Sequence, residues 1–123
     1  MAKRTLAVTF LILAMLIAPC AVQAHAFIDH SDPAVGSTAP TSPKVVHIWF
    51  TQELEPAFSW IKVTDKSGVA VNDGPSFVDA KNNQEMDIKL KQLPAGTYTV
   101  KWHALSVDTH TTHGDFTFKV KGS

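Results

Sequence analysis

Apolar and polar residues alternate with a period of two through most of the chain. In "KVVHIWFT" Val46, Ile48 and Phe50 share one face, while Val45, His47 and Trp49 share the other. "EMDIKL" sets Met86, Ile88 and Leu90 against charged partners. "TYTVKWHAL" aligns Tyr98, Val100, Trp102 and Ala104, and "DFTFKV" aligns Phe116, Phe118 and Val120. Successive side chains of a strand point to opposite faces of a sheet, so this period predicts half-buried strands. "HAFIDHS", "SWIKVTD" and "VAV" add further extended pieces, and "DPAVGSTAPTSP", "KSG", "DGP" and "LPAG" break the chain between strands. No window predicts an amphipathic helix of more than a turn or two. About seven short strands between frequent turns predict an all-β fold, an antiparallel immunoglobulin-like Greek-key β-sandwich or barrel.

The start of the chain breaks the pattern. "MAKR" is basic, "TLAVTFLILAMLIAPCAV" is apolar and uncharged, and "VQA" places Val22 and Ala24 at the small positions that signal peptidase reads. Residues 1–24 are therefore expected to be a secretory signal peptide cleaved after Ala24. The apolar run is near the lower limit for spanning a bilayer, and its small-residue exit favours cleavage over anchoring. Residues 25–123 would then form one domain beginning at His25. Its charge is modest, with nine basic against eleven acidic residues and a formal −2 when histidine is neutral. No basic patch points to nucleic acid. The single cysteine, Cys20, leaves with the signal, so the domain relies on its core rather than on disulfides. Burying each Phe or Leu side chain is worth about 1.5–3 kcal/mol, enough for such a core to suffice.

All six histidines lie in residues 25–123. His47 and His103 fall on the strand faces opposite the apolar residues and read as exposed or half-exposed strand positions. His30, between Asp29 and Asp32, reads as a turn residue or a supporting partner rather than a ligand. His25 differs, because signal cleavage would give it a free α-amine beside its imidazole Nδ1, and the two together can close a chelate ring. In "SVDTHTTHGDF" Asp108 and His110 stand two apart, and in an extended segment both side chains project the same way. A polar loop with a local Asp hydrogen bond is the plainer reading of that pair alone. Taken together, one amine, two imidazoles and one carboxylate form a hard-to-borderline set that suits Cu(II) in a tetragonal arrangement, and zinc also accepts such donors. Soft donors for Cu(I) are missing, since Met86 is the one methionine after residue 24 and reads as core.

With "SDPAVGS", "GTYTVKW" and the ending "SVDTHTTHGDFTFKV", the chain resembles the CopC family of periplasmic copper-binding proteins over essentially all of residues 25–123. The most specific parts are His25 and the pattern W-x-x-x-S-x-D-x-H-x-x-x-G-x-F-x-F from Trp102 to Phe118. The resemblance implies a cupredoxin-like or immunoglobulin-like β fold. It implies Cu(II) held by an N-terminal histidine brace at His25 together with Asp108 and His110. The methionine-rich Cu(I) segment of some members is absent. Gln52 stands where some members place a glutamate, with Glu53 one residue on. Glu53, His30 and His113 are therefore candidates for supporting roles outside the ligand set.

The function expected from these readings is a soluble, monomeric periplasmic Cu(II) protein that sequesters or carries copper and is not an enzyme. Copper ion is its partner, and the resemblance adds a CopD-like inner-membrane copper transporter or other periplasmic copper proteins. Two other readings compete. One is a histidine-brace copper monooxygenase, against which stand the short chain and the Asp108 carboxylate at an equatorial position. The other is a plain immunoglobulin-like interaction domain with incidental histidines.

Overall fold

The computed structural model describes residues 25–122, so the expected signal peptide of residues 1–24 lies outside the described residues. Eight strands follow in order: β1 (Ile28–Asp32), β2 (Thr38–Ala39), β3 (Val45–Phe50), β4 (Trp60–Thr64), β5 (Phe77–Asp79), β6 (Asn82–Lys89), β7 (Gly96–Leu105) and β8 (Thr111–Val120). They form two four-stranded sheets, ordered β1-β3-β6-β5 and β2-β8-β7-β4. Lettered A to G with β2 as A′, these are the ABED and A′GFC sheets of an immunoglobulin-like sandwich. The expected fold class is therefore the observed one.

Three details differ from the alternation pattern. "VAV" makes only the single bridge pair Thr64↔Ala70 rather than a strand, and Asn72 just after it pairs with Leu90. Phe77–Asp79, in a stretch without clear alternation, forms the edge strand β5. Within "DPAVGSTAPTSP" the two-residue β2 pairs parallel with β8. Gly36, at φ +71°, makes that last pairing possible, because its left-handed turn lets its N–H donate to the Thr117 carbonyl at 2.7 Å just before β2 joins β8.

The core sits between the sheets and uses the faces that alternation predicts. Val46, Ile48, Met86, Ile88, Val100, Ala104 and Phe118 are fully enclosed, with Phe50, Tyr98, Trp102, Phe116 and Val120 nearly so. Tyr98 also closes a tyrosine corner between β6 and β7, since its hydroxyl donates to the Pro94 carbonyl at 2.6 Å. Met86 is at 0% exposure, so its thioether is core and not a surface ligand.

The β7–β8 pair is the longest ladder, running from Gly96↔Val120 to Leu105↔Thr111. Trp102 lies opposite Gly114 in it, and its indole packs where a side chain at 114 would stand. A Cβ added there would meet Trp102 Cζ2 at 2.9 Å and Cε2 at 3.1 Å. The tryptophan and glycine of the sequence pattern are thus one packing unit. Gly114→Ala should push the indole aside and destabilise the fold by about 1–3 kcal/mol, the usual cost of overpacking. Urea unfolding followed by fluorescence measures this, and an unchanged midpoint would count against the packing argument.

Candidate metal centre

The segment after β7 that carries Asp108 and His110 is a tight turn rather than an extended stretch. Ser106 is completely buried and forms a bridge pair with Leu54. Its N–H donates to the His110 carbonyl at 3.0 Å, and Thr109 N–H donates back to the Ser106 carbonyl at 2.9 Å. Thr109 takes φ 73°, a left-handed conformation costly for a β-branched residue. The Ser106 hydroxyl has one proton. It donates to Asp108 Oδ1 in a short contact, while Oγ accepts the His110 N–H at 3.3 Å. The side chains of Asp108 and His110 still meet, with Oδ1 3.6 Å from Nδ1, but the turn brings them together rather than strand alternation. The Ser106 bond, helped by His110, holds the exposed Asp108 carboxyl below its ordinary range. Ser106 was visible in the sequence pattern, but its role as the hub of the turn was not.

His25 reaches this turn from the opposite end of the chain. Its ring stacks on that of His110, with centroids 4.6 Å apart and planes at 27°. The next residue, Ala26, is buried, and its carbonyl accepts a hydrogen bond from the buried Thr112 hydroxyl at the start of β8. Thr51, just after β3, fixes the other side. Its hydroxyl accepts the Phe27 N–H at 3.0 Å, and its own N–H donates to the Phe27 carbonyl at 2.8 Å. Ala26 and Phe27 are therefore clamped between the end of β3 and the beginning of β8.

The supporting candidates lie in different places. Glu53 is exposed, but its carbonyl accepts the Val107 N–H at 3.1 Å, so its backbone borders the turn. His30 is engaged elsewhere, with Nδ1 2.7 Å from Asp29 and its ring stacked on Trp49 at 4.4 Å. His113 points out from β8, paired in register with His103, whose ring stacks on Trp60. The structure stacks His25 on His110 and sets Asp108 beside His110, without bringing the donor atoms of all three within 4.8 Å of one another, and it leaves His30 and His113 on outer sheet faces.

A family model described as the CopC domain matches residues 28–121. The chain belongs to the CopC family. It is 32% identical to Protein YobA of Escherichia coli (strain K12) over 119 residues, covering 96% of each chain. It is 35% identical to Copper resistance protein C of Pseudomonas syringae pv. tomato over 125 residues, covering 97% of this chain and 98% of that one. Among solved structures, the methionine-rich copper resistance protein PcoC from Escherichia coli superposes with a TM-score of 0.70 at 34% identity, covering 80% of this chain and 100% of PcoC.

A second group of potential ligands lies apart from this turn, on the outer face of the β1-β3-β6-β5 sheet. His47 was read as a simple strand residue and Asp87 as an outward charge. In the structure His47 Nδ1 lies 2.8 Å from Asp87 Oδ1 and 3.6 Å from Glu85 Oε2. Asp87 does point outward, yet it is only 5% exposed, because His47 of β3 and Phe77 of β5 flank it in register. Alternation reports the direction of a side chain, not how its neighbours cover it.

Burial, with Glu85 close by, pushes Asp87 up to about 6, and His47 offsets part of that rise. Asp32 stands in register on the far side of His47 and adds no positive charge. Between 3.8 and about 6 the folded protein binds more protons at Asp87 than the unfolded chain does, so this group makes stability fall as pH rises through that window. In metal-free protein, Asp87→Asn should remove that dependence. Its stability relative to wild type should improve by of order 2 kcal/mol from the acid to the neutral side. Urea unfolding of both proteins across the window checks this, and parallel curves would contradict it.

The clamp on the first residues makes its own prediction. Thr112→Val keeps the side-chain shape but strands the buried Ala26 carbonyl, at a cost of about 1–3 kcal/mol. Amide exchange at residues 26–28 should rise more than exchange in the β3–β6 ladder.

Proposed function

We propose that the protein is an exported Cu(II)-binding protein that sequesters or carries copper in the periplasm, with cleavage after Ala24 making His25 its first residue. The observation that carries this reading is the meeting of the His25 and His110 rings, with Asp108 beside His110. His25 is far from both in sequence, yet its exposed ring, with Phe27 on one side, meets that of His110. An α-amine, two imidazoles and one carboxylate favour Cu(II), and the depressed Asp108 carboxyl is ionised at neutral pH. The copper resistance proteins to which the chain is similar support copper as the cargo.

The protein acts by holding the ion rather than by chemistry on a substrate. Unlike the methionine-rich PcoC, the domain has one methionine, and that one is buried, so no thioether set stabilises Cu(I). Ser106 orients Asp108, Thr112 and Thr51 hold the chain start, and His110 completes the cluster. Exchange with a CopD-like membrane component is the expected route for the cargo.

The mass of the exported protein tests the first step, because the amine ligand exists only if the chain begins at His25. Competition titration should then give one tight Cu(II) per chain that is lost with His25 and His110. His25→Ala should weaken it at least 100-fold. A single alanine added ahead of His25 keeps the imidazole but moves the amine away, and it should also weaken binding. Unchanged affinity in His25→Ala would sink this reading.

A further inference from the structure

We propose that His47, Glu85 and Asp87 form a second metal site, for a divalent ion such as Zn(II) or Cu(II), on the outer face of the β1-β3-β6-β5 sheet. Each residue offers one donor atom, and all three atoms lie within 4.8 Å of one another. Two donors bound at about 2.0–2.2 Å to one ion stand about 3.3–3.6 Å apart in a tetrahedral set and about 2.8–3.1 Å apart at right angles. The distances from His47 Nδ1, 2.8 Å to Asp87 and 3.6 Å to Glu85, span that range. Small side-chain rotations on a rigid sheet would close the set.

Three independent features favour an ion over a purely structural contact. First, two carboxylates share one imidazole, and no lysine or arginine pairs with either among the described residues. A structural pair needs one carboxylate, and the second is left under-neutralised. Second, the carboxylates are well covered, with side-chain exposures of 14% for Glu85 and 8% for Asp87, while His47 at 34% leaves the site open to solvent. Covering uncompensated negative charge is costly, and a bound cation removes that cost.

Third, Glu85 is held in place. The Trp49 indole N–H donates to Oε1 at 2.8 Å, which leaves Oε2 turned toward His47. His30 stacks on the same indole at 4.4 Å, nearly parallel, and backs it. A neighbour that fixes one oxygen of a carboxylate while the other faces the ligand cluster is typical of metal sites. The nitrogen and oxygen donors suit divalent first-row ions and disfavour Cu(I). The ion displaces the hydrogen now shared between His47 Nδ1 and Asp87.

This site does not depend on His25, so the two readings can fail separately. The test uses the exported protein carrying His25→Ala and His110→Ala, titrated calorimetrically with Zn(II) and with Cu(II). One equivalent should still bind. Adding Asp87→Asn, which keeps the shape and removes the charge, should abolish it. Adding Trp49→Phe should weaken it about 10–100-fold through loss of the Glu85 anchor. Circular dichroism confirms that each variant is folded, and if Asp87→Asn does not fold, Glu85→Gln takes its place with the same expected loss. No residual binding in the double variant, or residual binding indifferent to these carboxylate changes, overturns the proposal.

Discussion

The hydrogen bond from the Thr112 hydroxyl to the Ala26 carbonyl joins the two layers of the sandwich at the end where the candidate centre lies. Ala26 leads into β1, in one sheet, and Thr112 begins β8, in the other. Both residues are buried, so the bond is shielded from water, and an unpaired carbonyl there would be costly. The long β7–β8 ladder fixes where Thr112 stands, and the packing of Trp102 on Gly114 fixes the middle of that ladder. The position of His25 is thus inherited from the whole sandwich. Its ring is thereby held against that of His110.

The turn that carries Asp108 and His110 depends on a different economy of hydrogen bonds. One buried hydroxyl, Ser106, serves the carboxylate through its single proton and the His110 N–H through its lone pair. The left-handed Thr109 is tolerated because the bonds around Ser106 over-determine the turn. A rigid turn of this kind keeps the carboxylate and imidazole together before any ion arrives, so little ordering is left for binding to cost.

The layers, the core faces and the turn positions were legible in the sequence because a period of two translates directly into faces of a sheet. Val46, Ile48 and Phe50, and likewise Phe116, Phe118 and Val120, are buried where alternation puts them. The pairing of Asp108 with His110 was legible as a motif, but its mechanism was not, because a five-residue turn around a buried serine has no period to detect. β2 and β5 were missed because each is too short to alternate. They exist through tertiary pairing with β8 and β6. The contact of His25 with His110 was legible only through the family resemblance, since nothing local links residues so far apart.

The cluster at His47 shows the limit of the same rule most sharply. Alternation assigned His47, Trp49 and Asp87 to an outward face, and outward they point. Yet register places His47 beside Asp87 and Trp49 beside Glu85, so partners are chosen by strand order rather than by sequence distance. Knowing that β3 neighbours β6 converts two unremarkable strands into a row of complementary groups. The two clusters therefore respond differently to how the chain is made. As a copper site the one at His25 would need a free amine at the right residue, whereas the one at His47 rests on the pairing of β3 with β6 alone.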